Sequence, residues 1–378
     1  MKPFSRTAAP SVTMSLDRQA RELAASGKDV INLTAGQVDL PMPDAGKAAI
    51  RAALDADRTG YVPATGSADL IEAVRNKTGW TEGRVLISAG AKPLLTAAIA
   101  CVAGPGDEVL LPAPCYTSYP EMIRLSGAVP VPVFRGAPLT HEALTRGVSD
   151  RTKAIVVNNP VNPTGAVLRA PELRLLADFA KAHDLYLIAD EVYHAFVYEG
   201  GFTSLYAFAD VRERLILVDS TSKTYAMAGL RLGYAVAPAP AAEAMSGFLS
   251  HALGCPCSLS ERAAKAVLAA DDTYSDELRG VFRRRRDRIL AGIGRIPRLR
   301  TAPCEGAFYL WIDVSAVEAD DALFCRRLLD AEGVALTPGR AFLCPGFVRL
   351  AFTRPESALA EAAARLDRFV RSYRTDAN

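Results

Sequence analysis

The chain has 378 residues, half of them hydrophobic and 23% charged, with 44 Lys and Arg against 42 Asp and Glu for a net charge of +2. That balance excludes a disordered chain, a collagen-like fibre and a coiled coil, and it lacks the basic excess of a nucleic-acid binder. At about 150 residues per domain, the length predicts two or three units.

Residues 1–19 carry no apolar core segment, so no signal peptide is expected, and no window approaches ~18 uninterrupted apolar residues, so no membrane span is expected. A helix is predicted near 15–26 and a strand at 30–33. After a helix at 69–77, apolar runs of strand length alternate with helical patterns. RVLIS at 84–88 precedes a helical stretch over 92–103, and EVLL at 108–111 follows the turn at 104–107. AIVV at 154–157, LYLIA at 185–189 and LILV at 215–218 come next. Between the first two of these, Leu173, Leu176, Ala177 and Ala180 recur at helical spacing, which predicts a helix over 170–182. Strands apolar on both faces and separated by helices predict a mostly parallel sheet covered on both sides. The last hundred residues differ: a long amphipathic helix over 273–293, strands at 307–312, 334–336 and 348–352, and helices near 319–330 and 356–373. We place a large α/β domain at 44–271, and a small α+β domain at 1–43 together with 272–378. The four arginines at 283–286 lie within the long helix and read as a solvated face.

Seven cysteines show no CxxC pair and no His partner at metal spacing, so reduced, mostly buried thiols and no metal are expected. Cys255 and Cys257 are read as packing residues.

Three buried runs end in polar segments. AIVV runs into NNPVNPTG (158–165), LYLIA into Asp190-Glu-Val-Tyr193, and LILV into Asp219-Ser-Thr-Ser-Lys223. In an open α/β sheet, ligands bind outside the carboxyl ends of the strands. Asn162, Asp190, Tyr193 and Lys223 are therefore expected to converge on one crevice. A desolvated lysine amine forms a Schiff base with an aldehyde. A carboxylate can hold a pyridinium nitrogen protonated, making the ring an electron sink. Phenol and amide donors suit a ring oxygen. Together these groups describe a site for pyridoxal 5'-phosphate.

NNPVNPTG, ADEVY and STSKTYAMAGLRLGY resemble the signature segments of fold-type I pyridoxal-phosphate enzymes. The chain is most similar to the class I/II aminotransferase family, in the branch containing bacterial aspartate aminotransferases. The resemblance runs in order from about Val30 to about Phe352, and the Ser-x-Ser-Lys…Gly-x-Arg-x-Gly segment at 220–233 is its most specific part. It implies a fold-type I architecture: a large domain with a mostly parallel, seven-stranded-type sheet plus a small α+β domain. It also implies a cytoplasmic homodimer with shared active sites, acting on an amino acid and a 2-oxo acid. Lys223 matches the lysine that bonds the cofactor aldehyde, and Asp190 the partner of its ring nitrogen. Tyr193 and Asn162 match residues that hydrogen-bond the ring oxygen, and Tyr116 the aromatic residue that stacks on the ring. Gly90, Ala91 and Lys92 match the segment opening a helix at the cofactor phosphate, where amide N–H groups and the helix dipole suit a dianion. Ser220, Ser222 and Arg231 match further phosphate ligands, and Tyr61 a tyrosine reaching the phosphate from the other subunit. Arg349 matches the arginine that clamps the substrate α-carboxylate, and Gly36 a glycine whose backbone approaches it. Arg231 and Arg349 each sit in an apolar, Gly-bearing strand pattern. His194 reads as a bystander.

Lys92 also reads as a plain helix-start lysine. The dipole disfavours a cation there, so its presence wants a compensating anion. The resemblance supplies one in the distal carboxylate of a dicarboxylic substrate, and glutamate or 2-oxoglutarate is expected as one partner. Gly36-Gln-Val-Asp-Leu40 departs from the family's usual segment, and the stretches before Val85 and between Pro338 and Val348 are short. All lie where substrate side chains are selected. A lyase or cyclase using the same Cα carbanion is the alternative activity. A regulator built on this fold would need a DNA-binding extension, for which no room is expected before Val30.

Overall fold

The computed structural model describes residues 11–134 and 139–374, with the Phe134 side chain excepted. The first ten residues, on which part of the signal-peptide expectation rests, lie outside the described residues.

The chain opens with α1 (Val12–Ala25), the short strand β1 (Ile31–Asn32), α2 (Asp44–Asp55) and α3 (Ala68–Thr78). Alternation then sets in: β2 (Arg84–Ser88), α4 (Ala91–Val102), β3 (Glu108–Ala113), α5 (Ser118–Ser126), β4 (Val129–Phe134), α6 (His141–Thr145), β5 (Thr152–Asn158), α7 (Ala170–Ala182) and β6 (Tyr186–Asp190). The short helix α8 (Thr221–Thr224) follows β7 (Leu215–Ser220), and β8 (Gly233–Ala237) returns the chain to the sheet before α9 (Ala239–Ala252) and α10 (Ser258–Leu268). The C-terminal part holds α11 (Thr273–Ile293), β9 (Arg300–Thr301), β10 (Tyr309–Asp313), α12 (Asp321–Glu332), β11 (Val334–Ala335), β12 (Thr337–Pro338), β13 (Phe347–Ala351) and α13 (Glu356–Ser372).

The large sheet has seven strands in the order β2-β8-β7-β6-β5-β3-β4. All neighbours run parallel except β8, which is antiparallel to both β7 and β2. Ile155, Val157, Leu187, Ala189, Leu215 and Leu217 pack into a core on one face. Their alternate neighbours Ala154, Val156, Ile188, Ile216 and Val218 pack into another on the opposite face. Burial of both faces is why these strands read as continuous apolar runs.

Neither β4 nor β8 belongs to the strands predicted from sequence. VPVPVF carries prolines at 130 and 132 that argue against a ladder, and it forms a strand because it is the sheet's edge, where missing N–H donors cost little. GYAVA is short and opens on glycine, yet all five residues are buried between two neighbours.

A third core gathers Leu278, Phe282, Ile289 and Ile293 of α11 against β10, β13 and α13, and it reaches into Tyr193, Phe196 and Tyr198 beyond β6. Four strands, β12-β13-β10-β9, form its antiparallel sheet. The N-terminal segment joins this part through the parallel pairing of Ile31 with Val334.

The arginine run corrects the solvated-face expectation in half: Arg283 and Arg284 are exposed as expected, but the next two are not. Arg285 and Arg286 are buried. Arg285 makes a two-pronged ion pair with Asp39 at 2.6 and 3.1 Å, and Arg286 pairs with Glu199 at 2.9 Å. A bidentate pair held out of water is the geometry in which an ion pair specifies structure. Asp39 thereby fastens the segment after Gly36 to α11. Of the seven cysteines, three are buried, Cys257 is exposed and none is in a disulfide.

Candidate active site

The adjacent strands β5, β6 and β7 end side by side, with Asn158 registered against Asp190 and Asp190 against Val218. Their ends form the floor of a cleft of about 1000 Å³. Residues from β10, β13, the segment at 34–36 and α1 form its other walls. Every residue predicted for the site lines this cleft except Gly90 and Tyr61.

Asp190 is 5% exposed. Tyr119 donates its hydroxyl to one carboxylate oxygen at 2.6 Å, and the Val192 amide approaches the other at 3.4 Å. Among the described residues no cation stands within 4.0 Å of it. Burial pushes its carboxyl up to about 6, and the bonds from Tyr119 and Val192 hold the shift back. Such a carboxylate is prepared for a cationic partner.

Lys223 lies in α8, and its Nζ donates to the Gly36 carbonyl at 2.6 Å. Burial, with the charges of Arg349 and Arg231, lowers the amine from its ordinary value to about 8. A side-chain carbon on Gly36 would lie 1.9 Å from the Tyr309 hydroxyl, so only glycine fits there.

Tyr116 and Tyr119 stand edge to face at 5.4 Å. Tyr193 meets Tyr309 hydroxyl to hydroxyl at 2.9 Å, and Asn162 Nδ2 lies 3.4 Å from the Tyr193 hydroxyl. At the other end, Gly90 has φ +100° and caps the start of α4. The antiparallel register of Ser88 with Gly233 brings it against Arg231, and a side-chain carbon on Gly90 would come within 2.6 Å of the guanidinium. Arg231 lies before β8 rather than within a strand, which corrects the strand placement; its backbone is left-handed at φ +53°. Among the described residues its guanidinium bonds only to the carbonyls of Ala228 at 2.8 Å and Ala89 at 3.4 Å. The free amides of α4, Arg231 and the hydroxyls of Ser220 and Ser222 make a cup suited to a dianion.

Arg349 does belong to a strand, β13, and is 2% exposed. It donates to Asn162 Oδ1 at 2.9 Å and the Thr34 carbonyl at 2.5 Å. Its buried Nε has no partner, and no carboxylate lies within 4.0 Å among the described residues. The ring of Tyr309 sits 4.5 Å from the guanidinium. A buried cation held only by neutral acceptors is completed by an anion.

Lys92 is exposed on the cleft wall, its Nζ 5.5 Å above the Tyr116 ring. Tyr61 is fully exposed and away from the cleft of its own chain. Cys255 and Cys257 do not line it either, and His194 stands outside it.

The sequence did not single out Tyr119, Asn158, Tyr309, Thr34 or α1. Tyr119 lies in the first turn of α5, and Tyr116 just before that helix, so the two rings meet across its start. From α1 come Asp17, Arg18 and Arg21. Arg21 pairs with Asp17 at 2.8 Å, whereas Arg18 has only Glu22 at 3.8 Å.

A buried carboxylate wanting a cation, a cup wanting a dianion and a lowered lysine amine between them fit a phosphorylated pyridine aldehyde. Among the described residues no group of His, Cys, Asp and Glu could hold a metal, and no helix is long and apolar enough to cross a membrane.

The family model described as aminotransferase class I and II matches residues 28–366. A probable aspartate/prephenate aminotransferase of Aquifex aeolicus is 36% identical, over 94% of this chain and 95% of its own length. The aspartate/prephenate aminotransferase of Thermus thermophilus is also 36% identical, over 96% of each chain. Among solved structures, the aspartate aminotransferase from Thermus thermophilus with maleate superposes with a TM-score of 0.92 at 35% identity, covering 97% of this chain and 100% of that one. The aspartate aminotransferase from Rhizobium meliloti gives 0.93 at 30% identity, covering 98% and 99%.

Proposed function

The chain belongs to the class I and II aminotransferases, pyridoxal-phosphate-dependent enzymes of fold type I, and from that premise we infer the parts that its own residues take in amino transfer. When bound, the cofactor supplies an electron sink for the charge that develops at the substrate Cα. Lys223 would hold the cofactor aldehyde, and its freed Nζ would be the base that takes the substrate Cα proton. An amine lowered toward neutrality suits both tasks. Asp190 would hold the protonated ring nitrogen, with Tyr119 keeping the carboxylate in place. Tyr193 and Asn162 would hold the ring oxygen, and Tyr116 would pack on the ring. The start of α4, Ser220, Ser222 and Arg231 would bind the phosphate. Arg349, oriented by Asn162 and Thr34, binds the substrate α-carboxylate.

The unpaired Arg349 carries the amino-acid assignment, because a buried guanidinium without a carboxylate is costly and an α-carboxylate satisfies it. We further take the preferred substrate to be dicarboxylic, with glutamate or 2-oxoglutarate as one partner. After Arg231 and Arg349 are assigned to phosphate and α-carboxylate, the remaining cleft cations outside a close ion pair are Lys92, with no carboxylate within 4.0 Å among the described residues, and Arg18, with only the long, exposed contact to Glu22 at 3.8 Å, and a distal carboxylate supplies a counter-charge. None of the relatives named above is a lyase or cyclase. The domain limits 44–271 and 1–43 with 272–378 stand on the same footing; the pairing of β1 with β11 supports them. Tyr61, exposed and apart from its own cleft, supports a homodimer in which it reaches the partner's phosphate site. Cytoplasmic residence accords with the sparse, unpaired cysteines. The test is an amino-donor screen on the loaded enzyme, read by the loss of cofactor absorbance near its carbonyl-bound form. Conversion by aspartate or glutamate but not by alanine is expected; equal conversion by all three overturns the dicarboxylate assignment and leaves amino transfer standing.

A further inference from the structure

Three carboxylates are buried where β6 and β7 end. Asp190, Glu191 and Asp219 are 5%, 5% and 4% exposed. Among the described residues, one cation stands within 4.0 Å of any of them: His194, whose Nδ1 lies 3.1 Å from Asp219 Oδ2. The ring is a third exposed and also lies 3.2 Å from the Glu191 carbonyl. Glu191 is engaged otherwise, accepting the Leu205 amide at 2.9 Å.

Asp219 is met from three elements. The Ser220 amide at the start of α8 donates to Oδ1 at 2.6 Å, and the Tyr234 hydroxyl of β8 to Oδ2 at 3.1 Å. His194 arrives from the turn after β6. The residue before His194 is Tyr193, and the residue after Asp219 is Ser220, with Lys223 three further on. The contact therefore ties together the strand ends that carry the two halves of the cofactor site, although neither partner lines the cleft.

We propose that His194 is a positioning residue that balances the charge of Asp219, so that Asp190 remains the one uncompensated carboxylate facing the cofactor. Two neighbouring buried carboxylates without a cation cannot both stay ionised at low cost. The Asp219 charge already adds to the upward push on Asp190. Burial disfavours a charged imidazole, but Asp219, with Glu191 behind it, lifts His194 to about 9, so the compensating charge is present at neutral pH. Removing it transfers the cost of Asp219 to its neighbour.

The test measures the dissociation constant of pyridoxal 5'-phosphate from the apo protein by fluorescence quenching, with apo-protein melting followed separately. His194→Gln keeps a polar group of similar reach and removes the charge. It is expected to weaken binding about tenfold, the factor of one pKa unit at Asp190. His194→Lys stays within about threefold of the parent, and the double variant His194→Gln/Asp219→Asn returns to it, because the carboxylate that needed the cation is gone. Wild-type affinity in His194→Gln overturns the proposal. So does a double variant as weak as the single one, since that is what a merely structural tie gives. If His194→Gln does not fold, Asp219→Asn alone decides: near-parental affinity is expected, and a tenfold loss overturns the charge balance. The proposal rests on the role given to Asp190, and Asp190→Asn binding as tightly as the parent removes that role independently of the His194 series.

Discussion

The Lys223 amine donates to the Gly36 carbonyl at 2.6 Å, across 187 residues of chain. The amine belongs to α8, directly after β7, and the carbonyl to the segment that Asp39 fastens to α11, so the nucleophile is held by the other half of the fold. A single hydrogen bond from an amine already lowered to about 8 is readily exchanged for a covalent bond.

Covalent capture of the cofactor follows the neutral fraction of that amine. The folded value, about 8, lies below the ordinary 10.5, so capture by apo protein is expected to rise with pH through about 8 and level off above it. Stopped-flow absorbance across pH 6–10.5 checks this, and a rate still climbing at pH 10 refutes the lowered value. Borohydride reduction and peptide mapping should label Lys223, with Lys92 unlabelled. Lys223→Ala should fold, bind cofactor noncovalently and lose at least ~10²–10⁴ of turnover, the contribution of a positioned acid–base group.

Replacing Asp190 by Asn removes the anion that the ring nitrogen needs and keeps the Tyr119 contact. Turnover should fall by ~10²-fold or more while covalent capture at Lys223 survives. Single-turnover absorbance separates the two steps. Parental turnover in Asp190→Asn rules out the role.

Tyr61 tests subunit sharing. Each of Lys223→Ala and a Tyr61→Phe variant is impaired alone. After subunit exchange, a mixed dimer should contain one site with both residues intact and recover activity above the sum of the separate proteins. A fully active monomer in sedimentation refutes the shared site.

Lys92 and Arg18 flank the same cleft, and among the described residues the one carboxylate within 4.0 Å of either is Glu22, 3.8 Å from Arg18. Lys92→Ala and Arg18→Ala should each raise KM for 2-oxoglutarate by ~10-fold and leave KM for pyruvate within about twofold, since each removes one charge-assisted contact worth about 1.5–3 kcal/mol. An unchanged ratio of the two kcat/KM values in both variants contradicts a dicarboxylic substrate.

The helix over 170–182 was legible because its apolar stripe is uninterrupted, and the long helix over 273–293 because Leu278, Phe282, Ile289 and Ile293 keep the helical period on either side of the buried arginines. Asn162, Asp190, Tyr193 and Lys223 were legible for a related reason: each lies at or within a few residues of the end of a buried parallel run, and strand ends in such sheets share an edge. Tyr309 was not, because its phenol sits inside the apolar run AFYLWI, and nothing local says that β10 turns that residue toward the end of β6. Arg285 carried a signal that the charge run obscured. It falls between Phe282 and Ile289 at the three- and four-residue spacing of the buried stripe, so the periodicity outweighed the charge. α1 escaped because its cleft residues are polar and lie in the half of the fold remote from the motifs.

The cup around Arg231 also constrains the order in which the protein is assembled. Arg231 and Ala89 are 142 residues apart in the chain, and what brings them together is the antiparallel seam of β8 between β7 and the edge strand β2. The parallel strands from β3 to β7 can associate before that seam exists, but the phosphate end cannot. Closing so long a loop is slow and entropically demanding. A nascent chain ending short of Gly233 thus lacks the seam that sets Arg231 against the start of α4, and cofactor concentration stabilises the finished fold through mass action.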